Sequence, residues 1–232
     1  MYTALGEIYD LFKEDDDEKR AAYLSGFLPK GEGVDIGCGT GGLTHALYKR
    51  GLGVYGVDAS EVMLRRAVEK AGASVRFVLG DAESFPYAHT LDFAVASNDV
   101  FNYVGSPLAA FRHVYGALKK GGVFVFDISS AYKLCKVLAG NTFSETKEGI
   151  TYIWQNFREG NKLFIDFTVF SPQGETYIKT SETQVQYVRT QAYFTKALQK
   201  TGFARVETYA YYTKANVTKK TERILFVAQK SE

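Results

Sequence analysis

Val34-Asp35-Ile36-Gly37-Cys38-Gly39-Thr40-Gly41-Gly42 is the stretch that decides how this chain is read. A short apolar strand runs straight into a glycine-rich turn and then a helix. Glycines at 37, 39 and 41 let the backbone turn sharply with no Cβ in the way, so a ligand can lie against main-chain N–H groups. Dinucleotide-binding folds use a similar turn, and glycine spacing alone does not separate the two. Asp35, at the end of the strand, does. A turn built for pyrophosphate gains nothing from a carboxylate there, because like charges repel. A ligand carrying an ammonium and a sulfonium gains from it, and that chemistry points to S-adenosylmethionine.

Outward from this turn, strands and helices alternate. The pattern predicts strands over 34–36, 54–58, 75–79, 91–97 and 123–128, with helices between them. Leu108, Phe111, Tyr115 and Leu118 mark one helix, expected to end at Gly121-Gly122. Repeated strand–helix units imply a parallel sheet covered on both faces. The pattern then changes. Runs 151–158, 162–170 and 175–188 are rich in Thr, Tyr, Phe, Ile and Val and are separated by turn residues, which reads as an antiparallel meander. A helix ending at Gly202 and two strands over 204–212 and 223–229, expected as a hairpin, follow. Residues 1–28 are helical in spacing. The acidic run Glu14-Asp15-Asp16-Asp17-Glu18 within them reads as a solvated helix start, because adjacent side chains diverge and do not converge on a metal. No metal is expected elsewhere.

The 232 residues suffice for one α/β domain with an insertion and a full core. With 28 basic and 26 acidic residues interspersed, no phosphate-tracking stripe stands out, and nucleic acid is not the expected partner. Cys38 and Cys135 are too few for a disulfide framework and suit a reducing compartment. Neither a signal peptide nor a run approaching the about 18–20 apolar residues of a membrane span is found. The expectation is a cytoplasmic protein, monomer or homodimer, with no membrane partner.

Ligands of open parallel sheets bind beyond the carboxyl ends of the strands. The first strand offers Asp35 and the glycine turn. The second ends in Asp58, placed to accept both hydroxyls of a ribose, or else to cap the helix that follows Ala59-Ser60. The third gives Asp81-Ala82: Asp81 can accept from an adenine amine while the next N–H reaches a ring nitrogen, though Asp after Gly is also ordinary turn chemistry. The fourth ends Ser97-Asn98-Asp99-Val100-Phe101-Asn102-Tyr103, a polar and aromatic cluster where a methyl would leave, or a helix cap.

Taken in order and spacing, 34–42, Asp58, Gly80-Asp81-Ala82, the segment 91–104 and Leu118-Lys119-Lys120-Gly121-Gly122-Val123-Phe124 resemble the motifs of class I S-adenosylmethionine-dependent methyltransferases. The resemblance covers about 30–130 and extends to the final helix and strand pair. It implies a doubly wound α/β fold: a seven-stranded, mostly parallel sheet with its last strand antiparallel, carrying the meander as an insertion after the fifth strand. It places Asp35 near the methionine ammonium, Asp58 at the ribose, and Asp81 and Ala82 at the adenine. Gly37, Cys38, Gly39, Gly41, Ala59 and Asn98 complete the expected cofactor set. The tail of the chain looks like bacterial small-molecule N-methyltransferases, including aminosugar enzymes. The organisation expected is a helical lid over 1–30, a Rossmann-like unit over 31–140 and 190–232, and a meander over 141–189 acting as substrate cap or dimer face.

The expected acceptor is therefore a small molecule, methylated at nitrogen rather than oxygen. Asp99 and Tyr103 are candidates to help deprotonate an amine. Tyr9, Asn102, Tyr152 and Trp154, with Phe157, are candidate acceptor contacts; the alternative for the meander aromatics is the meander's own core or a dimer face. Tyr9 and Asp10 are candidate lid contacts. His45, His89 and His113 are not expected to act as bases, and Cys38 is expected to pack as a small hydrophobe. An RNA-modifying methyltransferase, an NAD(P)-dependent oxidoreductase and a non-catalytic cofactor-binding protein are the alternatives. Asp35 and the closing hairpin weigh against the oxidoreductase. The missing prolines in Asn98-Asp99-Val100-Phe101 weigh against a base-amino methyltransferase.

Overall fold

A computed structural model describes residues 4–13, 16–87 and 90–231; Glu14, Asp15 and His89 lie outside these. Five parallel strands come first: β1 (Glu32–Ile36), β2 (Gly53–Asp58), β3 (Phe77–Leu79), β4 (Leu91–Ala96) and β5 (Leu118–Ser129). The chain closes with β10 (Phe203–Ala210) and β11 (Arg223–Lys230), paired as the expected hairpin. β11 inserts antiparallel against β5, giving seven strands in the order β10-β11-β5-β4-β1-β2-β3. The order reverses between β1 and β4, which is where such sheets open a crevice at their carboxyl ends.

Helices cover both faces. α1 (Ala4–Phe12), α2 (Asp17–Ser25) and α3 (Gly42–Lys49) precede or follow β1. α4 (Glu61–Ala71) is capped by Ser60, whose Oγ accepts from Met63 N, and it stops at Gly72. α5 (Val100–Tyr103) is a single turn after β4, and α6 (Pro107–Ala117) starts on proline. α7 (Gln191–Thr201) is capped by Thr190 and ended by Gly202 in a left-handed conformation.

Six phenylalanines form one layer of the core. Phe101, Phe111, Phe124, Phe126, Phe194 and Phe226 are fully buried between the sheet and α5, α6 and α7, with Phe126 stacked on Phe226 at 4.9 Å. The alternate residues Val125 and Leu225 face Leu24, Leu43 and Leu47 of α2 and α3 on the other side. Strand alternation puts Asp127 on that second face, near the carboxyl end of β5.

A second sheet is made of β6 (Thr142–Lys147), β7 (Ile150–Glu159), β8 (Lys162–Gln173) and β9 (Thr176–Tyr187), all antiparallel. The sequence predicted three of these strands. β6 escaped because it is polar and mostly exposed; it is fixed by pairing, through a two-residue turn in which Glu148 and Gly149 both have positive φ. A π-helical turn, Lys133–Leu138, also went unseen; Leu134 and Leu138 pack under β8 against Leu163 and Ile165. α6 ends at Ala117, short of the expected stop at Gly121-Gly122, because Leu118 pairs with Leu91 as strand. β9 packs against α1 and α5, so the second sheet lies beside the crevice. No helix among the described residues is long and apolar enough to cross a membrane.

Candidate active site

The carboxyl ends of β1, β2 and β4 open into one cleft, walled by α1 and α2 from the N-terminal side and by α5 from the other. Gly37, Gly39 and Gly41 all have positive φ, as the turn demands. A Cβ on Gly37 would strike Val100 at 2.5 Å, whereas one on Gly39 would stand in open space within the cleft. The loop therefore keeps bare backbone toward a ligand.

Asp58 rigidifies this loop. Its Oδ2 accepts from Gly39 N at 2.8 Å and its Oδ1 from Ser60 N at 2.9 Å, while Ser60 takes the helix cap. Burial raises its carboxyl pKa despite these main-chain donors. Asp81 Oδ1 accepts from Glu83 N and Ser84 Oγ, so turn chemistry engages that oxygen; Ala82 is buried beside it. Cys38 lines the cleft as a thiol whose pKa burial pushes up well above the ordinary value.

Asp35 is buried and accepts from Thr44 Oγ1 at 2.7 Å. Burial raises it to about 7, against the Thr44 hydrogen bond and the Arg20 charge, which pull it down. A carboxyl that holds its proton more tightly folded than unfolded stabilises fully below its ordinary pKa, and that contribution is lost as pH rises through about 7. The ligand-free protein is thus expected to lose urea stability between about pH 5 and about pH 8, and Asp35→Asn to flatten the change. Identical pH profiles for both proteins would contradict this.

At the end of β4, Asn98 and Asp99 adopt left-handed backbone in succession, with φ of 64° and 55°. Two such non-glycine residues are costly and persist only where the surroundings fix them. Asp127 fixes them: its Oδ2 accepts from Asn98 N at 2.9 Å and Ser97 Oγ at 3.0 Å, and its Oδ1 from Asp99 N at 3.1 Å. Arg223 pairs with Asp127 Oδ1 and lies 3.4 Å from Asp99 Oδ1. Burial alone would depress the Arg223 guanidinium; Asp127 and Asp99 overcome this and raise its pKa.

This cluster changes the reading of two candidates. Asp99 accepts from Ser129 Oγ at 3.0 Å and Gln186 Nε2 at 2.8 Å. Burial pushes its carboxyl up, but Arg223 and Lys133, with these two donors, hold it below the usual range. An ionised carboxylate so engaged is a poor proton acceptor, and Asp99 does not line the cleft. Asn102 is fully buried: it accepts from Ser129 N and donates to Ser129 O and Tyr187 O, stitching α5 to β5 and β9. It has no face left for an acceptor molecule.

Tyr103, Tyr9, Asn98 and Ala59 do line the cleft. Asn98 Nδ2 donates to Tyr9 Oη at 3.5 Å, bridging the end of β4 to α1. Asp10 ties α1 to the glycine loop, accepting from Thr40 Oγ1 at 2.7 Å and pairing with Lys70 at 2.5 Å. The inserted sheet splits its aromatics. Trp154 stacks on Phe167 at 5.4 Å and belongs to that sheet's core; Phe157, half exposed, stacks on Phe164 on the opposite face. Tyr152 meets the Phe12 ring of α1 edge-on at 4.7 Å. None of the three lines the cleft. His113 binds Phe85 O at 2.8 Å as a structural group.

Sequence reasoning missed Lys13, Asp17, Arg20 and Asp127. The first three sit within or beside an acidic run that reads as a solvated helix start. Asp16 does cap α2, accepting from Glu18 N and Lys19 N, but Asp17 turns into the cleft. Asp127 lies inside the fifth predicted strand, 123–128, where nothing in the sequence singles it out.

A methyltransferase-domain family matches residues 34–122. YqeM of Bacillus subtilis, named as a methyltransferase, is 30% identical over all of this chain and 98% of its own length. The chain belongs to the class I S-adenosylmethionine-dependent methyltransferases. A Clostridium acetobutylicum S-adenosylmethionine-dependent methyltransferase superposes with a TM-score of 0.86 at 26% identity, over 100% of this chain and 99% of that one. The sugar N-methyltransferase KedS8 from Streptoalloteichus shares the fold at a TM-score of 0.79 and 21% identity, over 100% and 96%.

The donor set of this methyltransferase suits its cofactor. Bare glycine backbone, acceptor carboxylates at Asp35 and Asp58, and cations at Lys13 and Arg20 complement a molecule with a ribose, an ammonium and a carboxylate. When bound, that cofactor supplies a methyl already activated on sulfonium. The chain's part is to position groups and exclude water, a task that needs no nucleophile–base pair.

Proposed function

We propose that this methyltransferase methylates a small molecule at nitrogen, with Asp58 holding the ribose, Asp35 the ammonium, and Asp81 and Ala82 the adenine. Gly37, Cys38, Gly39, Gly41 and Ala59 form the bed, and Asn98, Tyr9 and Tyr103 wall the transfer end. The observation that carries the small-molecule reading is the tie of α1 across the glycine loop. α1 is tied across the glycine loop by Asp10, and β9 backs both α1 and α5. This cover over the cofactor end of the cleft favours a compact acceptor over a polymer. In this reading α1 and α2 are the lid and the inserted sheet is the cap behind it. The sugar N-methyltransferase that shares the whole-chain fold supports nitrogen as the target. With Asp99 locked in an ion pair, the amine arrives neutral and Tyr103 orients it.

The test supplies methyl-labelled S-adenosylmethionine with, separately, the small-molecule, RNA and protein fractions of a bacterial extract. Label is expected in small products retained by cation exchange, as N-methylated amines are. Label in RNA or protein contradicts the small-molecule reading; neutral small products contradict nitrogen.

A further inference from the structure

Two amide oxygens on β9 lack a donor. Gln184 and Gln186 are each 4% exposed, and no group among the described residues donates to Oε1 of either. The far end of each amide fixes which atom is the orphan. Gln186 Nε2 donates to Asp99 Oδ2 at 2.8 Å, and Gln184 Nε2 to Glu182 Oε1 at 2.7 Å. An ionised carboxylate only accepts, so turning either amide over would set oxygen against oxygen. A buried acceptor with no donor costs free energy that an apolar side chain of the same size avoids. Two of them, two residues apart on one strand, point to donors that come from outside the chain.

Their place in the fold says what brings those donors. Residues 182, 184 and 186 share one face of the inserted sheet with Phe167, Ile165 and Leu163, their partners on β8, and with Tyr152 and Trp154 on β7. That face turns toward the cleft: Tyr152 meets Phe12 of α1, and Gln186 reaches Asp99 at the start of α5. Asp99 follows Asn98, which lines the transfer end. The oxygens thus stand behind Asn98, away from the glycine loop that beds the cofactor. Each amide donates to a carboxylate, which polarises it and strengthens its oxygen as an acceptor. We propose, on the small-molecule N-methylation reading, that Gln184 and Gln186 hold the molecule to be methylated, each Oε1 accepting from one of its N–H or O–H groups. That molecule is then a compact amine with at least two such donors. α1 covers this face, so the amine reaches the oxygens as α1 lifts. A molecule that offers only acceptor atoms, such as a carboxylate or a phosphate ester, leaves both oxygens undonated and is rejected.

Methyl-labelled S-adenosylmethionine and the small-molecule fraction of a bacterial extract, given to the full chain, test this. Gln184→Met keeps the length of the side chain and removes the orphan oxygen. Its label transfer is expected to fall about tenfold or more, the value of one hydrogen bond to a buried acceptor left unmade. Its affinity for S-adenosylhomocysteine is expected to stay the same. The urea midpoint of the ligand-free variant is expected to hold or rise, since that position no longer carries an undonated oxygen. Gln186→Met is expected to lose transfer likewise, with a lower midpoint because Asp99 loses a donor. Thr183→Val, on the opposite face of β9, is expected to transfer label as the wild type does. Deuterium exchange read by mass is expected to show at least one exchangeable hydrogen in the labelled product, beyond the charging proton. Undiminished transfer by Gln184→Met, or a product with no exchangeable hydrogen, would overturn the proposal. So would a lower midpoint for Gln184→Met with a parallel loss of S-adenosylhomocysteine affinity, which would make Gln184 a structural residue. Wild-type label in RNA or protein, and none in small molecules, would instead remove the N-methylation reading beneath it.

Discussion

Asp58→Ala is expected to lower affinity for S-adenosylhomocysteine by about 100-fold or more, the value of two charge-assisted hydrogen bonds at about 1.5–3 kcal/mol each. The carboxylate has two tasks. It already holds the glycine loop through Gly39 N and the start of α4 through Ser60 N. Each oxygen has a second lone pair, and those face the cleft that Asp58 lines. Removing the side chain takes away the ribose acceptors and loosens the bed at once. The fold should survive, because Ser60 caps α4 independently and the carboxyl is buried at a cost reflected in its raised pKa. Asp58→Asn should do almost as badly: its amide must turn an NH2 toward one of two main-chain N–H groups. Calorimetry on a folded variant decides it, and unchanged affinity would remove Asp58 from the ribose.

Arg223→Met should act on stability instead. Arg223 neutralises Asp127, which is 1% exposed, and Asp99 beside it. Breaking a buried pair by removing one partner costs about 3–5 kcal/mol, and the 22% exposure of Arg223 places it near the lower end. The pH dependence has a definite sign. In the wild type Asp99 is held low, so its stabilising contribution is present above the ordinary carboxylate pKa and fades as pH falls through the lowered value. Without Arg223 the two carboxylates repel in a dry site and Asp99 is no longer held low, so the deficit should shrink in mild acid. Adding Asp127→Asn should recover part of the loss at neutral pH. Denaturant midpoints for the three proteins at two pH values read this out. A single variant as stable as the wild type would mean that the cluster does not hold the Asn98-Asp99 turn.

These two sites show what was legible in the sequence. Asp58 could be found because strand alternation and glycine spacing fix where β2 ends. Its residue type then fits only a few tasks there. The α/β repeat and the final hairpin were legible for the same reason: apolar periodicity and glycine stops are local signals. Arg223 and Asp127 were not, since their meaning arises only when β11 inserts beside β5, 96 residues apart in sequence. Asp99 as a candidate base and Asn102 as a candidate acceptor contact were placed by position alone, and long-range partners then claimed their polar atoms. Trp154 and Phe157 failed differently: alternation on β7 sends them to opposite faces, and neither face opens on the cleft. β6 was invisible because a polar edge strand carries no period to read.

The most direct test of the central claim, that this cleft is shaped for an S-adenosyl cofactor rather than a dinucleotide, is calorimetric titration of the wild type with S-adenosylhomocysteine, with NAD and NADP in parallel. The account predicts micromolar binding of the nucleoside thioether and none of either dinucleotide. Dinucleotide binding at comparable affinity would contradict it, and with it the role given to Asp35.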